Sequence, residues 1–509
     1  MMTLNSSKWF HIFSLLVLIN VVGSLEKIPE ISSRQNDDDF KVGLHNVTLT
    51  QLTDSYLKTF NKDLVLLEIS NCRFDKIEKD AFDHLKHLNL LDLSNNKIKE
   101  KIHPQTFSKL QSLEILILKN VGIHDLELNL SNVEELILSE NDIEDVKENS
   151  IQGHNVNYLD LSHNKIKEMN NSLKTMYKLS MIDLSKNNIE HVGKNVFEDN
   201  HNLLRILAPG NKLTSTEGFK LPKLKSLDLF GNKLISLKSN SFEKMFFLEE
   251  LGLAANQIQR IEDPFSDLYE LKFLNLAWNH IGEIKPSLFR NNLYLSHLSL
   301  QGNRIQSLKR FDAILNHLVK LDLSHNGLEI IDGEFFTSTP NLNVLDLSFN
   351  NIKVLSNSLQ PLNNLKILDL AFNKINLTGF EFYKNHQLAR VNLSYNGLEA
   401  SLKNFKNNVL LTDLDLSNNA ISNFCNSNVT FEKLKKINLN GNNIKDLKCL
   451  KEKKFESLCV ADLRNNPLIC GKDLDELVVG LAIKKVSPFK INQIQSDISR
   501  DQWQVDIFY

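Results

Sequence analysis

One motif recurs along the chain and limits its fold more than any other feature. Lys320 to Asn326 reads Lys-Leu-Asp-Leu-Ser-His-Asn, Val344 to Asn350 reads Val-Leu-Asp-Leu-Ser-Phe-Asn, and Ile367 to Asn373 reads Ile-Leu-Asp-Leu-Ala-Phe-Asn. Aligning every copy on Leu-x-x-Leu-x-Leu-x-x-Asn-x-Leu gives one column: Cys72, Asn96, Val121, Asn141, Asn164, Asn187, Asn211, Asn232, Asn256, Asn279, Asn303, Asn326, Asn350, Asn373, Asn396, Asn419, Asn442 and Asn466. Eighteen copies in register, with a period of about 23 residues, specify a solenoid in which each turn buries its apolar face on its neighbours.

The residue types follow from that geometry. Leu321 and Leu323 flank Asp322, the alternation of a short strand with one buried face. One strand per turn predicts a parallel sheet on the inner face of a right-handed horseshoe, an α/β solenoid of about 18 repeats. At the ladder position the chain leaves the sheet, and buried backbone groups there need partners that an asparagine amide supplies as both donor and acceptor. Cys72 is small enough to replace it with weak thiol bonds. Val121 is not a substitute, and the next interval is only 20 residues, so an irregularity is expected between Val121 and Asn141. Phe82, Phe107, Phe197, Phe242, Phe265, Phe289, Phe382 and Phe405 follow their ladder positions at about nine to eleven residues, as a buried spine under the outer side would.

The ends differ from the middle. Lys8, the mostly apolar run Phe10 to Val22 and the small residues Val22-Gly23-Ser24 read as a signal peptide over 1–24. The run is short for a membrane anchor, the competing reading, and no other stretch has the ~20 apolar residues of a transmembrane helix. Residues 25–63 form an expected N-terminal cap in which Asn46 to Leu52 alternates like a strand. The solenoid then spans 64–468. Residues 469–509 form a C-terminal cap and tail, with a short helix expected over Leu474 to Ile483. Secretion makes six sequons candidate glycosylation sites: Asn46, Asn129, Asn170, Asn376, Asn392 and Asn428. Four cysteines near the C-terminus admit three connectivities. Cys425 and Cys449 sit at near-equivalent places in adjacent turns, close enough for a bridge, and elimination leaves Cys459 with Cys470. Free buried thiols are the alternative, disfavoured in an oxidising compartment.

The Leu-Asp-Leu-Ser-x-Asn runs, their spacing and the ending Asn466-Pro467-Leu468-Ile469-Cys470 resemble the extracellular leucine-rich repeat proteins of animals, over about residues 64–470. With the signal peptide and Asn46-Val47-Thr48-Leu49 leading into Leu67-Glu68-Ile69-Ser70, the chain looks most like secreted insect members. These include soluble immune leucine-rich proteins and the ectodomains of Toll-like and adhesion proteins. The resemblance implies recognition of an extracellular protein or glycan through the solenoid surface. The N-terminal cysteine cluster of many relatives is missing. So are a coiled-coil tail, a transmembrane helix and a signalling domain, so complex formation and receptor signalling do not carry over.

Three inner-face columns nominate a partner-binding patch. Before the ladder asparagine stand Trp278, Gly302, His325, Phe349, Phe372 and Tyr395. Between the strand leucines stand Asn275, Ser299, Asp322, Asp346, Asp369 and Asn392, and two residues earlier Phe273, His297, Lys320, Val344, Ile367 and Arg390. Aromatics edged by charge have the composition of a protein-binding hot spot. The competing account is that the rings pack on one another for stability alone. Enzymatic readings find little support. His84 and His87 lack a third metal ligand, Lys448 to Lys454 is short and interrupted by Glu452, and no nucleophile elbow, phosphate loop or His-Glu-x-x-His occurs. A net charge of −3 steers the chain toward neither nucleic acid nor an anionic membrane. The expectation is a secreted, non-enzymatic scaffold without cofactor or metal, alone or in an oligomer. Innate immunity is one setting and matrix or adhesion in development the other.

Overall fold

The computed structural model describes residues 40–468, apart from 48–50, 170–172, 356, 378–381, 400–404, 423, 425–428, 446–454 and 456. Its main element is a parallel sheet of nineteen strands. Lys41–His45 lies at one edge and pairs with Leu66–Ser70. Seventeen further strands follow in chain order to Val460–Asp462. The eighteen repeat strands are thus joined by about seventeen turns. Register is residue for residue: Lys320–Asp322 pairs with Val344–Asp346, and that strand with Ile367–Asp369. The central leucine of each strand is buried, with Leu321 at 2% exposure and Leu345 and Leu368 at 0%. Burying each such side chain contributes roughly 1.5–3 kcal/mol, which only stacking supplies because one turn has no second layer.

The expected α/β label needs correcting on its helical half. Among the described residues the only α-helix is the four-residue Asp54–Leu57, with three short 3₁₀ segments. A period of about 23 residues, after strand and ladder turn, leaves too little chain for a helix, and the return path is built of tight turns. No helix of the described residues is long and apolar enough to cross a membrane.

The phenylalanine spine runs along the far side, fully buried. It is longer than the eight residues expected, since Phe219, Phe311, Phe335, Phe431 and Phe455 continue it. Parallel-stacked spine rings such as Phe242, Phe265 and Phe289 stand 6.1–6.2 Å apart. Rings on the opposite, sheet side stand 4.1–4.2 Å apart, closer than the ~4.8 Å between strands. A row compressed below the strand spacing lies inside the bend and a row stretched beyond it lies outside. The sheet therefore lines the concave side.

The ladder asparagines hold the turns. Asn279 donates through Nδ2 to the carbonyls of Leu253 (2.9 Å) and Leu276 (3.1 Å), and its Oδ1 accepts the Ile258 N–H of the previous turn (3.0 Å). Asn96 makes the corresponding bonds to Ile69, Leu93 and Cys72. Cys72 fills its place with weaker contacts: Sγ lies 3.3 Å from the Ser70 carbonyl and 3.4 Å from the Val47 N–H. At Val121, which has no amide, the Ile98 N–H that a ladder asparagine would accept goes to the Val121 carbonyl (3.1 Å), and Asn141 Oδ1 of the next turn accepts the N–H groups of Val121, Gly122 and Ile123 (2.9–3.1 Å). The irregularity stays off the main sheet, which keeps its register from Ile115–Ile117 to Glu135–Ile137. A second asparagine series, unexpected from the motif, lies on the far side. Asn200, Asn292, Asn385 and Asn408 are at most 2% exposed. Each donates to two carbonyls of the preceding turn, as Asn385 does to Leu359 (2.8 Å) and Leu362 (2.9 Å). The signal was Phe-x-x-Asn, which replaces Phe-x-x-Leu in those repeats.

Candidate functional site

The residue before each ladder asparagine has a conformation that the motif did not reveal. In all eighteen repeats it lies in the left-handed region, with φ between 52° and 68°. Asparagine or glycine, which tolerate this backbone, fill half the column: Asn71, Asn95, Asn120, Gly210, Gly231, Gly302, Asn418, Gly441 and Asn465. Trp278, His325, Phe349, Phe372 and Tyr395 adopt the same backbone at φ 53–55° while carrying rings. Each such placement costs about 1 kcal/mol or more relative to glycine.

The turn holds them there. The N–H of His325, Phe349, Phe372 and Tyr395 donates to the carbonyls of Ser348, Ala371, Ser394 and Ser417 at 2.8–3.0 Å. Their rings form one pile with centroid spacings of 4.1, 4.2 and 4.2 Å and interplanar angles of 9–11°. Faces inside the pile are covered and ring edges are offered to solvent. Phe372 and Tyr395 are 36% and 47% exposed, while His325 and Phe349 are half-buried. Trp278 joins across Gly302, its indole 5.6 Å from the His325 ring although the two residues are two turns apart.

The neighbouring columns behave differently from one another. Phe273 packs on His297 at 4.7 Å beside the pile. Lys320 is partly buried, and exposed Arg390 faces Asp413 at 3.9 Å. The aspartates are not the contact surface expected of them. Asp322 is 5% exposed, and its Oδ1 accepts the N–H and hydroxyl of Ser324 at 2.9 and 2.7 Å. Asp346 and Asp369 take the N–H groups of Ser348 and Ala371, both at 2.8 Å. These carboxylates brace the turn that carries the rings. Burial first, and for Asp322 and Asp369 the facing Asp346 second, hold their carboxyls above the usual carboxylate range.

Other candidates resolve individually. Asn392 is 8% exposed, with Nδ2 donating to Asp369 (3.0 Å) and Oδ1 accepting the Ser394 N–H. A glycan there would have to displace that bond, which removes Asn392 from the sequons suited to the folded chain. Asn46 and Asn376 are exposed, Asn129 is half-buried, and Asn170 and Asn428 lie outside the described residues. Cys459 has a free, exposed thiol against the Ser457 carbonyl, and Cys470, the partner expected for it, lies outside the described residues. Its position just before the last strand turns it to solvent. Cys425, Cys449 and the helix expected over Leu474 to Ile483 also lie outside the described residues. His84 binds the Leu57 carbonyl (2.8 Å) and faces Asp54, while His87 faces Asp63. Among the described residues no three such groups are placed to hold a metal. Sequence reasoning also missed exposed Phe230, and Phe246, Phe247, Tyr269, Leu293 and Tyr294 on the turns entering the strands.

Parallel strands, an asparagine at every turn and side chains offered from a concave sheet define a class: the repeat solenoid that generally serves as a non-enzymatic binding scaffold. The chain is a leucine-rich repeat protein. The leucine rich repeat family matches residues 62–120, 222–281 and 316–375, and the BspA type leucine rich repeat region matches 126–217. Among curated proteins, an acidic leucine-rich nuclear phosphoprotein 32 family member A of Drosophila pseudoobscura pseudoobscura is 48% identical over 67 residues, or 13% of this chain. The match spans about a quarter (26%) of that relative. Among solved structures, a leucine-rich repeat protein of Leptospira interrogans superposes with TM-score 0.62 at 23% identity, over 86% of this chain and 98% of that one. A chain of the Drosophila Toll–Spatzle complex superposes with TM-score 0.67 at 22% identity, over 84% of this chain and 61% of that one. These likenesses concern the fold.

Proposed function

We propose that the chain is a secreted, non-enzymatic recognition protein that binds another extracellular protein along the concave ring row, in innate immunity. The observation that carries the reading is the ring row's backbone: Trp278, His325, Phe349, Phe372 and Tyr395 cluster in left-handed positions that asparagine or glycine fill in nine of the other thirteen repeats. Stacking energies of ~0.5–1.5 kcal/mol per pair roughly offset that strain, so stability alone gives little reason for the rings. Exposed edges of Phe372 and Tyr395, with Arg390 beside them, suit the apolar and carbonyl-rich surface of a polypeptide. The leader-like start supports secretion. The Toll–Spatzle structure is described as a hub in development and innate immunity, which supports the immune setting and equally a developmental one.

The test is recovery of partners with the secreted protein, identified by mass spectrometry, for wild type and for Phe349→Asn/Phe372→Asn and Arg390→Glu variants. Asparagine suits the left-handed backbone, so thermal unfolding is expected to move little while partner recovery falls at least about tenfold, the loss of one or two hot-spot residues. Undiminished recovery with both variants would place the interface elsewhere. Retention on cells in a tissue pattern, rather than recovery from body fluid after infection, would favour the adhesion setting.

A further inference from the structure

The ring row has one member whose surface is not consumed by stacking. Trp278 stands 52% exposed at its N-terminal end. Its Cα and that of His325 are two strand spacings apart, about 9.6 Å, yet their ring centroids are 5.6 Å apart. The indole therefore leans across the intervening Gly302. A Cβ at Gly302 would lie 2.4 Å from Cε3 and 2.6 Å from Cδ2 of the indole, so only glycine admits this pose. On the other side of Trp278 lies a turn with no bulk: Ala255 occupies the ring position there, behind Ala254 and Gly252.

That low turn is walled by the turns on either side of it. Gly252 pairs in register with Asp228 on one strand and Asn275 on the other, about 9.6 Å from each other. Asp228 Oδ1 takes the Phe230 N–H (2.9 Å), and Asn275 Oδ1 takes the Ala277 N–H (3.0 Å). These bonds leave Asp228 Oδ2 as an acceptor and Asn275 Nδ2 as a donor at the edges of the trough. Glu250 closes one end, engaged by Arg205 (3.2 Å) and Ser226 (2.8 Å). An exposed indole, a floor of Gly252, Ala254 and Ala255 covered only by the Asp228 carboxylate leaning over Gly252, and fixed planar donors and acceptors suit a sugar ring. Its C–H face meets the negative ring face while its hydroxyls bond at the rim. The rim carries carboxylates, and Arg205 is already paired, so an anionic sugar is disfavoured.

We propose that this trough is a carbohydrate subsite, taking a neutral pyranose against the free face of Trp278. It goes beyond the protein-binding reading and does not depend on it. The full sequence also carries Trp9 and Trp503, so occupancy is read from the part of the tryptophan emission change that Trp278→Ala removes. The secreted full chain is titrated to millimolar concentration with chitotetraose, cellotetraose, laminaritetraose and mannotetraose, with a heparin tetrasaccharide as the anionic comparison. At least one neutral tetrasaccharide is expected to shift the emission saturably, and heparin is not. The neutral response should vanish in Trp278→Ala. It should weaken about tenfold or more in Ala255→Phe, which stacks a ring on the free face as Phe349 does on Phe372. Ala255 already has φ 55°, so that substitution adds no new backbone strain. Binding of the neutral sugar by calorimetry, run in parallel, must follow the same pattern. No response to any neutral sugar, an equal response to heparin, or calorimetric binding that survives both substitutions would overturn the proposal. Loss of partner recovery in the Phe349 and Phe372 variants with sugar binding intact would separate the two readings.

Discussion

At the scale of single residues, backbone satisfaction dominates. A ladder asparagine gives one amide to carbonyls of two turns and one oxygen to an N–H that the sheet has left behind, and all of these groups are out of reach of water. Asn279, 2% exposed, serves as the case. Asn279→Ala strands several buried partners and is expected to cost about 1–3 kcal/mol. Urea unfolding with an unchanged m-value would measure it, and a loss below ~0.5 kcal/mol would mean that water enters the turn and replaces the amide. The left-handed residue just before it illustrates a converse case. Its backbone is imposed by the turn whatever the side chain, so the choice of Trp, Phe or Tyr there carries a cost that asparagine avoids.

At the scale of strands, the column between the leucines couples neighbours. Where aspartates alternate with asparagines, the amide bonds the adjacent carboxylate: Asn392 to Asp369 at 3.0 Å and Asn438 to Asp415 at 2.9 Å. Asp322, Asp346 and Asp369 are three in succession with no amide between them. Their folded carboxyls are raised by burial and mutual repulsion, so the folded state holds more protons than the unfolded chain once pH exceeds the ordinary carboxylate value near ~4. Stability from this row is accordingly full in acid and declines as pH rises through the raised values. Asp346→Asn inserts the missing amide donor. It is expected to stabilise the protein at pH 8 by about 1 kcal/mol and to flatten the difference between pH 5 and pH 8, read from urea midpoints. An unchanged pH slope would show that the three carboxylates are already ionised in the folded protein.

Across the whole molecule, two rows at different radii set the shape. The spine rings fill the outer side and the strands gather on the inner side, and each turn touches only the turns beside it. Phe289, fully buried between Phe265 at 6.1 Å and Phe311 at 5.3 Å, sits in the middle of the spine. Phe289→Ala is expected to cost about 3–5 kcal/mol through its cavity. Hydrogen exchange should rise most in that turn and its two neighbours, because stability in such arrays passes through nearest-neighbour interfaces. Uniform loss of protection along the solenoid would indicate instead that the array unfolds as one unit.

Much of this was legible in the sequence because it depends on period. Leucines at fixed intervals, Asn96 to Asn466 in one column and phenylalanines at one offset determine a parallel sheet, its register, the ladder and the spine. A repeated environment makes the same demand on every copy. The motif misled where a residue's partner is set by the folded turn or its neighbour. Asp322 looked like a surface charge and is a buried brace within its own turn, Asn392 looked like a glycan acceptor and is a cross-strand donor, and the return path proved too short for helices. The left-handed column was visible in principle, since Asn and Gly fill half of it, but the rings, Glu140, Lys186 and Ala255 in the other half concealed the pattern. Tertiary structure alone decided which ring faces remain free. Stacking at 4.2 Å closes those of Phe349 and Phe372, while Gly302 lets Trp278 lie across it and keep one side open. That outcome depends on side chains a full turn apart in sequence, which become neighbours only when the solenoid closes one turn onto the next.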